Sequence, residues 1–134
     1  MSTLKVVFLG YEQEHEVERV KLKAPENIEV VPVHREAPES EVDAVLKDAD
    51  VIVPWRMPLT LDHARKAPKL KLVQALSAGV DYLPVAELAE MGIRVANNGG
   101  ANSVAVAEVA VWLIVTFYRD LETQLRQLRA GRYA

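Results

Sequence analysis

Leu70-Lys71-Leu72-Val73-Gln74-Ala75, the turn Ser77-Ala78-Gly79-Val80-Asp81, then Ile93-Arg94-Val95, the turn Asn97-Asn98-Gly99-Gly100-Ala101-Asn102 and the apolar run Val104 to Tyr118 follow one another in the second half of the chain. By periodicity they are strand, glycine turn, helix, strand, asparagine/glycine turn and a long helix. Pro84 to Met91 supplies the helix between the strands, with a proline at its start and Gly92 just past its end. Asn102 or Ser103 caps the last helix, which is expected to run to about Arg129, before Gly131.

The first half repeats the alternation. Leu4 to Leu9 is a buried strand ending at Gly10, and Tyr11 to Lys23 is a charged helix with Val17, Val20 and Leu22 toward one side. Ile28 to Val33 is a second strand, and Pro32 suits it to a sheet edge. Pro38 to Lys47 is a helix carrying Val42, Val45 and Leu46, and Asp50 to Val53 is a short third strand. Thr60 caps a helix from Leu61 to Lys66. Five alternations with short connections predict an α/β fold: a five-stranded parallel sheet, flavodoxin-like order 2-1-3-4-5, with helices on both faces, a long C-terminal helix and a single domain over 1–134.

The totals exclude several functions. The 134 residues carry a net charge of −3 and no cysteine. Nothing in that balance attracts nucleic acid or an anionic membrane, and disulfide or thiolate chemistry is absent. Val104 to Tyr118, interrupted by Glu108 and Thr116, is shorter than the ~20 residues of a membrane span. No signal peptide is visible, and a cytoplasmic location is expected.

Ligands of open α/β sheets lie beyond the strand carboxyl ends. Small side chains and backbone N–H groups at Ser77-Ala78-Gly79 suit a carboxylate or phosphate. Equally, Gly79 can serve only a tight turn. Asn102 can offer its amide to a ligand, though capping is the simpler use. Trp55 and Arg56, bracketed by Pro54 and Met57-Pro58, can line the same mouth or form a packed Trp beside a solvated Arg. His15, His34 and His63 are scattered without metal-ligand spacing and are expected in solvent; no metal site is expected. No G-x-G-x-x-G follows the first strand. Neither the Thr/Ser-rich loop of flavin binders nor the acid pair of receiver domains is present.

In order and spacing, Leu70 to Gln74, Ser77 to Asp81, Gly92-Ile93-Arg94-Val95-Ala96-Asn97 and Asn102-Ser103-Val104-Ala105-Val106-Ala107-Glu108 resemble successive motifs of the D-2-hydroxyacid dehydrogenase family. Residues 1–69 agree in layout more than in motif. The resemblance implies the N-terminal, substrate-binding part of such an enzyme, beside a Rossmann domain holding NAD or NADP. It implies that the Ser77-Ala78-Gly79 backbone holds a substrate carboxylate and that Met57 is a substrate-wall position. Arg56 is a further candidate for the substrate site, from its position beside Met57. Ala78 and Asn102 would also sit where some members contact cofactor, and Asn102 faces substrate or nicotinamide. The family often places His after Ala-Val-Ala-Glu; here Val109 stands there, on a helix face. The dinucleotide fingerprint, the catalytic Arg and Glu and the acid/base His lie downstream in the family. No catalytic residue is therefore expected in this chain, and no cofactor is expected bound to it.

Two hypotheses follow. In the first, this is the substrate-binding half of an NAD(P)-dependent enzyme acting on a small 2-hydroxy/2-keto acid, inactive alone. In the second, it is a stand-alone or engineered domain that only binds small anions or dimerises. The 102–130 helix is apolar nearly all round in its first half, with a Leu121, Leu125, Leu128 stripe in its second. In the resembled family it crosses to the cofactor domain. It must be covered, either by folding back on the sheet or by a second copy; a homodimer through this helix is expected.

Overall fold

The computed structural model describes residues 3–132. They fall into two compact units that meet in sequence at Gly99 and Gly100. The first holds β1 (Leu4–Tyr11), α1 (Glu14–Lys23), β2 (Ile28–His34), α2 (Glu39–Leu46), β3 (Val51–Pro54), α3 (Leu61–Arg65), β4 (Leu72–Gln74), α4 (Val85–Glu90) and β5 (Arg94–Ala96). The second holds α5 (Ser103–Tyr118) and α6 (Leu121–Arg129).

The sheet order is β2-β1-β3-β4-β5 with every pair parallel, as the alternation predicts. β2 pairs only with β1, so Pro32, opposite Phe8, lies on an edge strand where its missing N–H costs one ladder bond at most. Val7 and Leu9 of β1, Ile52 of β3 and Val73 of β4 are fully buried. Val42 and Leu46 of α2 and Leu88 of α4 join them in one core. Helical spacing places Val42 and Leu46 one turn apart on a single face. On α1 only Val17 is buried, and Leu22 is 81% exposed, contrary to its expected place on the packed face. Gly92, at φ +76°, closes α4 as its position after Met91 predicts.

Two expectations need correction. The C-terminal helix is divided: Arg119 ends α5, and Asp120 adopts φ 46°, ψ 47° and begins α6. Aspartate tolerates that left-handed conformation better than most residues, so an apolar pattern running across the break conceals it. No residue of α5 or α6 is buried. Among the described residues no helix is long and apolar enough to cross a membrane.

The second correction concerns histidine. His63 is buried, not solvated. Thr60 caps α3 as expected, its Oγ1 accepting from the His63 N–H at 3.1 Å, and His63 Nδ1 accepts from the Thr60 N–H at 3.4 Å. Histidine thus takes the place that Glu or Gln fills in the usual reciprocal box. Its Nε2 lies 3.3 Å from Glu39 Oε1. His34 is half-buried against the Tyr11 ring, with centroids 5.2 Å apart, and His15 is exposed.

Candidate functional site

The strand carboxyl ends of the first unit form two pairs of loops. The first pair joins the end of β1 to the segment after β3. Gly10 sits at φ +90°, where β1 carries one residue more than β2 between Leu9 and Tyr11. A Cβ on Gly10 would lie 2.3 Å from the Met57 backbone N and 2.7 Å from its Cβ. Only glycine admits this approach, so the end of β1 presses directly on the 55–58 loop. Met57 packs against the core. The Trp55 N–H donates to the Leu9 carbonyl at 2.8 Å.

Side chains complete that join. Glu16 Oε1 accepts from Trp55 Nε1 at 3.0 Å and from Arg56 at 3.3 Å. Arg56 also pairs with Glu12 Oε2 at 3.2 Å, and Arg35 with Glu12 Oε1 at 3.3 Å. The Arg56 guanidinium lies 5.3 Å from the Trp55 ring centroid. Hydrogen bonds from the Glu12 backbone N–H, the Trp55 indole and others hold the Glu16 carboxyl down at about 2.

The second pair joins the loops after β4 and β5. The Asn98 N–H donates to the Ser77 carbonyl at 3.0 Å, Asn97 Nδ2 to Ala78 O at 2.7 Å, and Ser77 Oγ to Gly79 O at 2.7 Å. The Leu83 N–H donates to Val80 O at 2.9 Å. Every carbonyl from Ser77 through Val80 is therefore engaged. Among the described residues, the N–H groups of Ala78, Gly79 and Val80 donate to no protein acceptor. What this exposed turn has left to offer is donors, the capacity that an anion uses. Asp81 stands beside it, with Oδ2 3.2 Å from where a Gly79 Cβ would be.

A cleft of 280 Å³ opens between the two pairs, lined by Pro54, Trp55, Leu76, Ser77 and Tyr82. Ser77 Oγ lies 3.2 Å from the Tyr82 hydroxyl. A larger apolar groove of 610 Å³ between α1 and the edge of the sheet is lined by Val6, Ile28 and Val30, early residues of their strands, and lies away from the carboxyl ends.

The structure therefore places Ser77 at one wall of the cleft and Trp55 at the other; Ala78 and Gly79 follow Ser77 in the turn but are not among the lining residues. Arg56 and Met57 stand behind Trp55 and are not among the lining residues. Asn102 belongs to the second unit, at the N-cap of α5, and its side chain makes no capping bond. Sequence reading missed Tyr82, and it took Asn97 and Asn98 for turn formers although their amides hold the other turn's carbonyls. A polar pair directly after the neighbouring strand was the available signal.

The family model described as D-isomer specific 2-hydroxyacid dehydrogenase, catalytic domain, matches residues 6–130. The D-3-phosphoglycerate dehydrogenase of Methanocaldococcus jannaschii is 32% identical over 113 residues, which are 84% of this chain and 22% of that protein. The hydroxypyruvate reductase of Thermotoga maritima is 28% identical, over 81% of this chain and 35% of that protein. The solved 2-hydroxyacid dehydrogenase of Ketogulonicigenium vulgare superposes with a TM-score of 0.79 at 18% identity, over 98% of this chain and 41% of that one. An NAD-dependent formate dehydrogenase of Staphylococcus aureus, solved with NAD, gives 0.69 at 26% identity, over 98% and 43%. The chain thus spans between a fifth and under half of each of these proteins.

Proposed function

The chain belongs to the D-isomer specific 2-hydroxyacid dehydrogenase family, and from that premise we propose that it forms the substrate-binding half of an NAD(P)-dependent enzyme acting on 2-hydroxy or 2-keto acids. One observation carries the reading: at the strand carboxyl ends, next to a cleft that its Ser77 lines, stands a turn whose carbonyls are all engaged and whose Ala78, Gly79 and Val80 amides are unpaired. A substrate carboxylate accepts from those amides. Ser77 fixes the turn through Gly79 O and Tyr82, Arg56 and Met57 support the wall behind Trp55, and Asn102 is a position for substrate or nicotinamide.

The residues present do not suit a dinucleotide. β1 runs into Gly10-Tyr11-Glu12-Gln13-Glu14, with one glycine and two acids where a pyrophosphate needs a glycine-rich turn. A nicotinamide, which a separate domain would have to hold, would supply or take up the hydride. This chain binds the acid, orients it and shields one side from water. The cytoplasm suits such an enzyme. A chain limited to binding small anions or to dimerising is the second reading.

The test uses the purified 134 residues. Glyoxylate or pyruvate shifts the amide resonances of Ala78, Gly79 and Val80, and NAD(P)H is not oxidised in their presence. Turnover by this chain would overturn the division of labour; unmoved amides would remove the carboxylate site. α5 supports a homodimer as part of the same proposal. Trp112, Leu113, Ile114 and Phe117 are each more than half exposed, and covering apolar surface is worth roughly 25 cal/mol per Å². Sedimentation at micromolar concentration is expected to show dimer; monomer alone would refute it.

A further inference from the structure

Resting on the carboxylate reading above, we infer that the cleft selects monoanionic acids with an uncharged tail and discriminates against dianions, whether dicarboxylates or phosphorylated acids. A dianion needs a second cation, and none of the cleft's lining residues is charged. Arg56 adjoins Trp55, but its guanidinium is held by Glu12 at 3.2 Å and by Glu16 at 3.3 Å. With Arg35 on the other Glu12 oxygen, two cations face two carboxylates and leave no positive charge over. The Glu16 oxygen that binds Arg56 also takes the Trp55 indole N–H, so the cation and the wall are fixed by one acceptor.

The turn that leads on from Ser77 adds the reverse sign. The Asp81 carboxylate stands beside Gly79. Three unpaired amides can offset one carboxylate there; a second negative group meets only Asp81 and neutral surface. Trp55 and Tyr82, each about half exposed in the cleft, present ring surface to the remainder of the ligand.

The experiment titrates the ¹⁵N-labelled chain with D-2-hydroxybutanoate and with D-malate at equal ionic strength, above pH 7. The monoanion is expected to move the Ala78, Gly79 and Val80 amides and to bind about fivefold more tightly than malate, the ratio one like-charge contact produces in water. Glu12→Gln/Glu16→Gln frees the guanidinium and brings that ratio toward one. Glu18→Gln/Glu26→Gln, the same change of charge elsewhere, leaves it in place. Equal binding of the two acids by the native chain, or an unchanged ratio in Glu12→Gln/Glu16→Gln, would overturn the inference. If neither acid moves the three amides, the carboxylate site itself falls and the inference with it, a result distinct from equal binding.

Discussion

The paired loops after β1 and β3 and the paired loops after β4 and β5 flank one cleft, which the β3 and β4 segments line, and are finished in opposite ways. In the first pair both signs of charge are present and matched: Glu12 and Glu16 against Arg35 and Arg56, with the Trp55 indole on Glu16. In the second pair the matching is one-sided, with carbonyls engaged and amides open. Saturated polar groups hold a shape, while unsaturated ones of a single kind are what a ligand can use. The difference separates a closed pair of loops from one that keeps amide donors open.

The contrast can be broken most severely at Gly10. Gly10→Ala forces a Cβ against Met57 from a left-handed backbone, and urea unfolding should show a loss of about 3 kcal/mol or more. Next comes the anchor of the 55–58 loop at α3. His63→Ala removes a buried ring and half of the capping box and should cost about 2 kcal/mol, whereas His63→Gln, which can still accept from the Thr60 N–H, should recover part of it. On the open side, Asn97→Ala frees the Ala78 carbonyl at an exposed position. It should cost only about 1 kcal/mol in the same measurement while weakening anion binding, because the turn is then no longer held in one conformation.

The smallest effect is a pH dependence. The Glu16 carboxyl is held at about 2 in the folded chain against an ordinary 4.5. Its contribution is complete above 4.5 and is lost as pH falls from there through about 2, since the unfolded chain takes the proton first. The urea midpoint of Glu16→Gln should therefore vary less between pH 5 and pH 2 than that of the native chain, by an amount limited by solvent screening at this surface site.

Much of this architecture is readable from periodicity. Five short apolar runs separated by amphipathic stretches dictate a parallel sheet, and Pro32 alone places β2 on its edge. The turn at Ser77 to Gly79 is legible as a candidate anion holder for the same reason that a simple turn is: both need small residues. What decides between them is where each carbonyl goes, and those partners, Asn97 and Asn98, lie about 20 positions away, a separation no local pattern encodes. His63 escaped because its ring does a job usually given to a carboxylate or amide. The helix break escaped because a leucine stripe says which residues share a face but not where a single backbone angle changes sign.

That angle has a consequence for recognition. Asp120 acts as a corner post between two rods of unlike character, one greasy around its whole circumference and one with a narrow leucine seam. A neighbour that grips the first rod does not extend along the second in a straight line. One straight surface therefore cannot follow both rods, and a β-branched residue at the corner would penalise the bend between them.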